Sequence, residues 1–215
     1  MKNVFALLIT LGAAGPVLAQ GPAADLLTGR LPAEAAAQIR AIAAQASARD
    51  LPATPLVQKA IEGAAKGIAP ARIVAAVQTL ADQLASAAGA IHNGGVLLPD
   101  SASVEAGAFA LTVGLNTAQV RILAHAAGSN AQRATALRVA GTLTALGVPA
   151  DQTVDLVTHS LDSTVDLNSL SGRVQAGMAH GQSAAAAAAG ISHGGRPTTT
   201  NPHRPATPRG GSRKP

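Results

Sequence analysis

Residues 70–91 have the sequence PARIVAAVQTLADQLASAAGAI, and they decide the fold class of this chain. Their apolar residues recur at steps of three and four, the spacing of one face of an α-helix. The apolar series is Ile73, Val77, Leu80, Leu84, Ala87 or Ala88, and Ile91. Polar residues such as Arg72, Asp82 and Ser86 fall between these positions. The segment is therefore predicted to be an amphipathic helix with one buried stripe.

Similar apolar spacing occurs along the chain, and no stretch alternates polar residues with β-branched or aromatic ones as strands do. Helix starts are indicated by Pro32, Pro55, Pro70 and Pro149, with Thr54 and either Asp100 or Ser101 as candidate N-caps. We predict helices over residues 32–48, 54–66, 70–90, 101–113, 117–127, 130–146, 149–162, 164–180 and 182–189. The predicted fold class is all-α, either a bundle or a short irregular array of helical hairpins.

Three predicted helix junctions resemble one another, and each begins with a glycine, at Gly67, Gly114 and Gly147. An aliphatic residue follows each glycine, then a short turn and the next helix. Glycine can adopt the left-handed conformation that ends a helix, and the aliphatic residue can fold back on the last turn. The glycines are 47 and 33 residues apart, and this inequality favours degenerate hairpins over a regular solenoid.

The N-terminus has the pattern of a secretory signal peptide over residues 1–19. Lys2 precedes an apolar run from Val4 to Leu11, and small residues lead to Val17-Leu18-Ala19. The alternative is a membrane anchor, but glycines and a proline interrupt the apolar run before it reaches the length of a spanning helix. The mature chain is therefore expected to begin at Gln20 and to be exported, as a periplasmic or secreted protein.

The composition excludes several classes of protein. The chain contains no cysteine, which excludes disulfides, a lipoprotein anchor, thiol catalysis and cysteine-ligated metals. No segment after the signal peptide is predicted to span a membrane. Phe109 is the sole aromatic residue beyond residue 19, whereas sites for single-stranded nucleic acid stack bases on aromatic side chains. Sugar binding and sequence-specific nucleic-acid binding are therefore not expected.

Charge separates the chain into two regions. Residues 20–190 contain ten Lys or Arg and eleven Asp or Glu, so this predicted helical domain is almost neutral. Residues 191–215 are rich in Gly, Pro and Thr and are predicted to be a disordered basic tail. Its cations, with no acid among them, are Arg196, Arg204, Arg209, Arg213 and Lys214. They are candidate contacts for an anionic polymer; the alternative is a tail that only increases solubility.

The most reaction-like group of residues is Asp155, His159, Asp162 and Asp166. If one helix continued through all four, their spacing would place them on one face as an oxygen-rich metal site or an acid–base cluster. The alternative is a solvated helix face. Ser160 lies beside them, but no oriented nucleophile or oxyanion donor is identifiable, so we expect no catalytic residue and no cofactor.

Other polar residues have ordinary structural interpretations. His92, beside Asn93-Gly94-Gly95, is predicted to be a loop residue, and His125 a partly buried helix residue. Lys59, Glu62 and Lys66 share one helix face, and Glu62 precedes Lys66 by four, the favourable order for an exposed ion pair. The alternative for this face is a partner-binding patch.

The segment LPATPLVQKAIEGAAKGI (51–68), followed by RIVAAV (72–77), resembles a segment of uncharacterised exported bacterial proteins. The resemblance covers about residues 50–80, implies no activity and assigns no functional residue. It implies a cell envelope with two membranes. We therefore expect a non-enzymatic interaction or structural protein of the envelope, whose partner is another envelope protein or an anionic polymer.

Overall fold

The computed structural model describes residues 25–163 and 165–192, and these residues form helices and connecting loops without a β-strand. The all-α prediction is therefore confirmed. A 3-10 helix, Asp25–Leu27, precedes α1 Ala33–Ser47, α2 Thr54–Ala65, α3 Pro70–Asn93, α4 Ser101–Thr112, α5 Thr117–Ala126, α6 Asn130–Ala145, α7 Ala150–Leu161, α8 Leu167–Ala179 and α9 Ala184–Ser192. None of the helices in the described ranges has the length and apolar character needed to cross a bilayer.

Some predictions concern residues outside the described ranges. The signal peptide and all five tail cations, from Arg196 to Lys214, lie there. The division into a signal peptide, one domain over 20–190 and a basic tail stays a prediction. Helix α9 runs to Ser192, two residues past the predicted end of the domain.

Backbone contacts divide the chain into two compact units, Met1–Ala81 and Asp82–Pro215. In the first unit, α1 packs on α2, and α2 also contacts the 3-10 helix. The large buried side chains of this unit are Leu27, Ile39, Leu56, Ile73 and Val77. Gly63 of α2 lets Ile73 approach closely, because a Cβ at Gly63 would lie 2.9 Å from the Ile73 Cγ1 atom.

In the second unit, α4 to α9 form three helical hairpins that stack in order. Each helix contacts the helix two places later, so α4 meets α6, α6 meets α8, α5 meets α7, and α7 meets α9. Helical-hairpin solenoids have this pattern of neighbours. Small residues bring the axes together: a Cβ at Gly107 of α4 would lie 3.1 Å from the Cβ of Ala87. The unit is thus a short array of hairpins.

Glycine caps terminate the first helix of each hairpin in the array. Gly114 and Gly147 have φ values of 118° and 95°, and Gly181 ends α8 in the same way with φ 83°. In each case the next residue donates its amide to a carbonyl five positions earlier, as Leu115 does to Ala110 at 3.0 Å. The glycines are 33 and 34 residues apart. The array is therefore more regular than the predicted spacings of 47 and 33 residues indicated. The 47-residue spacing was counted from Gly67, which precedes the longer helix α3.

Of the two candidate N-caps for α4, Asp100 is the one that caps the helix. Two other predicted helix starts need correction. Thr54 is the first residue of α2 and not its cap. Helix α8 begins at Leu167 instead of residue 164, because the Asp166 carboxylate accepts a hydrogen bond from the Asn168 amide at 3.0 Å and starts the helix there. A capping side chain thus decides the boundary.

Candidate functional site

Asp155, His159, Asp162 and Asp166 do not lie on one continuous helix, which was the condition for a shared face. Helix α7 ends at Leu161, where the Ser163 hydroxyl donates to the Ser160 carbonyl at 3.3 Å. All four side chains are exposed. In residues 25–163 and 165–192, no three His, Asp or Glu side chains are grouped as a metal ion would require.

The Lys59, Glu62 and Lys66 face is an exposed ion-pair network. The Lys66 ammonium donates to Glu62, and the Lys59 Nζ atom lies 3.7 Å from the other carboxylate oxygen. The hydrogen bond from Lys66 and the two positive charges lower the pKa of Glu62. Solvent surrounds these side chains, so the network contributes little to stability, and it has the predicted i, i+4 geometry.

A shallow groove lies between the start of α6 and the loop that joins α7 to α8. Its volume is about 340 Å³, and it is lined in part by Gln132, Thr135, Ser163 and Asn168. The Gln132 side chain already accepts a hydrogen bond from the Gly128 amide at 2.8 Å. This bond ties Gln132 to the local backbone, and the residues that line the groove include no pair of charged groups suited to catalysis.

A buried polar cluster links three helices of the second unit. The Arg133 guanidinium of α6 donates to the Ala124 carbonyl at the end of α5 and to the Asn130 side chain, at 3.3 and 2.7 Å. The Asp100 carboxylate accepts from the Ser103 hydroxyl at 2.7 Å. Burial raises the pKa of Asp100, but hydrogen bonds from Ser103 and the charge of Arg133 outweigh it and hold the pKa below its ordinary value. The cluster holds helix ends together.

The most unusual surface feature is the loop of residues 94–99 between α3 and α4, which we call the leucine loop. Leu97 and Leu98 lie at its bend with 81% and 86% of their surface exposed. Pro99 follows them, and Asp100 then caps the start of α4. Isolated exposed leucines are common on proteins, but two adjacent ones at a loop bend form a continuous apolar surface.

Two histidines hold the leucine loop from neighbouring helices. The Nδ1 atom of His92 lies 3.3 Å from the Leu97 carbonyl oxygen, and that of His125 lies 3.2 Å from the Gly94 carbonyl oxygen. A carbonyl oxygen can only accept, so Nδ1 must carry the proton in both rings. His92 belongs to the last turn of α3 and not to a loop, and His125 is exposed and not partly buried.

The first residue of the leucine loop is packed tightly on α5. A Cβ at Gly94 would lie 3.0 Å from the Arg121 carbonyl oxygen and 3.2 Å from the Cβ of Ala124. Arg121 and Ile122 are both exposed on α5. The start of the loop therefore has a defined position against the backbone of α5.

Sequence reasoning missed the leucine loop, although a signal was present. The apolar run Val96-Leu97-Leu98 lies between Gly94-Gly95 and Pro99-Asp100, which predict a helix end and a helix start. Apolar residues in a predicted loop do not belong to the buried face of a helix.

No known protein family, curated protein or solved structure matches this chain. The resemblance of residues 50–80 to exported proteins stays a prediction.

Proposed function

We propose that this chain is an exported, non-enzymatic interaction protein of the bacterial cell envelope and that the leucine loop is its main contact. The signal-peptide pattern of residues 1–19 supports export. The stacked hairpins support an interaction role, because such arrays present extended surfaces on a rigid scaffold. The single observation that carries the proposal is the exposure of Leu97 and Leu98 on a loop held by two side chains.

The physical argument concerns the cost of leaving both leucines in water. Burying one leucine side chain fully contributes about 1.5 to 3 kcal/mol. A contact that covers both would therefore gain several kcal/mol before the entropy of association is subtracted. The histidine bonds reduce that entropy, because the loop is already ordered before it binds.

The experiment measures binding of the mature chain, residues 20–215, to isolated envelope fractions. We expect the Leu97→Ser/Leu98→Ser variant to lose most of its sedimentation with the envelope. The matched control is Leu26→Ser/Met178→Ser, which removes two exposed apolar side chains elsewhere, 53% and 38% exposed. Equal sedimentation of the wild type and the Leu97/Leu98 variant would show that the loop is not the contact.

Export is tested separately by expressing the full chain in a bacterium with two membranes. We expect the protein in the periplasm or the medium, with Gln20 at its N-terminus. N-terminal sequencing of the purified protein checks the cleavage site. A cytoplasmic product that keeps Met1 and Lys2 would contradict export while leaving the loop experiment unaffected.

A second candidate function is binding of an anionic envelope polymer by the basic tail, and the charge distribution of the sequence favours it. Residues 191–215 contain these five cations and no acidic residue. We expect replacement of these five residues by Gln to reduce retention on heparin or lipopolysaccharide at low salt. This variant keeps the tail length, so unchanged retention would exclude charge-driven binding by the tail.

A further inference from the structure

We propose that the basic tail of this chain docks on one side of its own helix α7, at the carboxylates of Asp155 and Asp162. We further propose that this contact competes with anionic polymers for the cations of the tail. The docking step is independent of the leucine loop, whereas the competition step rests on polymer binding by the tail. The unpaired acids of α7, the place where α9 ends and the charge of the second unit together support the contact.

Two carboxylates of α7 lack a partner. Asp155 and the C-cap residue Asp162 are seven positions apart, about two helical turns, so they lie on one side of the helix. Both are exposed, and neither carboxylate accepts a hydrogen bond or pairs with a cation among residues 25–163 and 165–192. Asp151 differs, because the side-chain amide of Gln119 donates to it at 2.7 Å. The two acids are therefore available to a cation from another segment.

Helix α9 ends at the level of these two acids. The side-chain amide of Gln152, in the first turn of α7, donates to the Ala185 carbonyl of α9 at 2.8 Å. This contact sets an offset of 33 positions between the two helices. Corresponding helices of stacked hairpins run in the same direction, so Ser192, the last residue of α9, lies at the level of His159. The chain thus leaves α9 between the levels of Asp155 and Asp162.

The rotation of α7 also turns the two acids toward α9. Gln152 marks the side of α7 that contacts α9. At about 100° per residue, Asp155 and Asp162 lie within about 80° of Gln152 around the helix axis. They therefore border the α7–α9 contact instead of lying on the opposite side of the helix.

Charge makes the basic tail the occupant of this surface. Residues 82–192 contain four Arg and seven Asp or Glu, a net charge of −3, whereas the tail carries five cations and no acid. Arg196 is four residues beyond Ser192, and an extended chain of that length spans up to about 14 Å. An exposed ion pair contributes little by itself. A segment joined to its own binding surface nevertheless acts at an effective concentration of about a millimolar, which favours it over a free cationic ligand.

A spin label tests the contact directly. The chain contains no cysteine, so Ser212→Cys gives a single site for a nitroxide label in the tail of the mature chain. At low salt we expect the label to broaden the amide signals of residues 155–162. High salt should remove most of this broadening, because it screens exposed charges. Replacement of the five tail cations by Gln should remove it as well.

Two further variants distinguish docking from mere nearness to the end of α9. Asp155→Asn/Asp162→Asn removes both charges with little change of shape and should abolish most of the broadening. Glu34→Gln/Glu105→Gln is the matched control, since it removes two exposed acids on α1 and α4 and should leave the broadening unchanged. Circular dichroism of each variant verifies that the helices are intact.

Competition is measured as the affinity of the same two variants, without the label, for a heparin oligosaccharide. A docked tail is only partly available to the polymer, and its apparent affinity falls by the available fraction. We therefore expect Asp155→Asn/Asp162→Asn to bind about threefold more tightly than Glu34→Gln/Glu105→Gln. The two variants have the same net charge, so a general charge effect would leave their affinities equal.

The outcomes separate this inference from the proposed function. Broadening that survives Asp155→Asn/Asp162→Asn, or that both double variants remove equally, would overturn docking on α7. If the label behaves as expected but the two variants bind heparin equally, docking stands and competition is overturned. If the Gln-substituted tail keeps its heparin retention, polymer binding by the tail fails, and the label still decides whether the tail docks. None of these results changes sedimentation through the leucine loop.

Discussion

At the scale of single residues, Asp100 connects helix capping to pH. Its carboxylate accepts from the Ser103 amide at 3.0 Å and from the Ser103 hydroxyl at 2.7 Å, which satisfies a donor at the start of α4. We predict that Asp100→Ala lowers the free energy of unfolding by about 1 kcal/mol, and by up to about 2. Urea denaturation at neutral pH measures the change.

The matched variant Asp100→Asn isolates the charge, because asparagine caps helices about as well as aspartate. The folded-state pKa of Asp100 lies below its ordinary value of 3.8. Its ionisation therefore stabilises the fold fully above that value, and the contribution disappears as pH falls through the lowered pKa. We expect Asp100→Asn to lose less stability than the wild type on acidification. Parallel pH curves for the two proteins would contradict this role.

At the scale of secondary-structure elements, α8 and α9 pack so closely at Gly177 that a Cβ atom does not fit there. A Cβ there would lie 2.6 Å from the Cβ of Ala187 and 2.7 Å from the Oε1 atom of Gln182. We predict that Gly177→Ala costs about 1 to 3 kcal/mol, because the two helices must move apart. Thermal or urea unfolding measures this cost.

Gly172 is the control within the same helix. A Cβ at Gly172 meets no atom within 4 Å, and the residue is exposed. Gly172→Ala should therefore raise stability by about 0.5 to 1 kcal/mol, since alanine favours the helical conformation. If both substitutions change stability in the same direction, helix propensity rather than the α8–α9 contact decides the effect.

These elements also show what the sequence can predict. Proline, glycine and capping residues located the helices within a few residues, because helix ends depend on local backbone chemistry. The stripe of α3 is also largely as predicted: Ile73, Val77, Leu84 and Ile91 are buried, and Ala87 is buried in place of Ala88. Leu80 is half-buried.

Contacts between helices were not predictable in the same way. A Cβ at Gly141 of α6 would lie 2.6 Å from the ring of Phe109 on α4, but no local pattern pairs these residues. The hydrogen bond from His125 to the Gly94 carbonyl joins residues 31 positions apart. Such contacts depend on the stacking of hairpins, whereas periodicity reports only which face of each helix is apolar. The contact of His125 with the leucine loop was not predictable for this reason.

At the scale of the whole molecule, the neighbours of each helix predict unequal stability within the second unit. Helix α6 packs on α4, α5, α7 and α8 and buries Leu137 and Leu143. In the described part of the chain, α9 packs on α7 and α8, and its buried residues are Ala184, Ala187 and Ala188. Repeat arrays gain stability from such nearest-neighbour contacts, so their ends open more readily than their centres.

We therefore predict that amides of α9 exchange with deuterium at least about tenfold faster than those of α6, a difference of about 1.4 kcal/mol in opening free energy. The comparison uses protection factors, which correct for the intrinsic exchange rate of each sequence. Gly177→Ala should increase exchange in α9 more than in α6, because it separates α9 from α8 without a direct contact to α6. Equal protection of both helices in the wild type would instead mean that the three hairpins unfold as one cooperative body, and stability would then not follow the count of neighbouring helices.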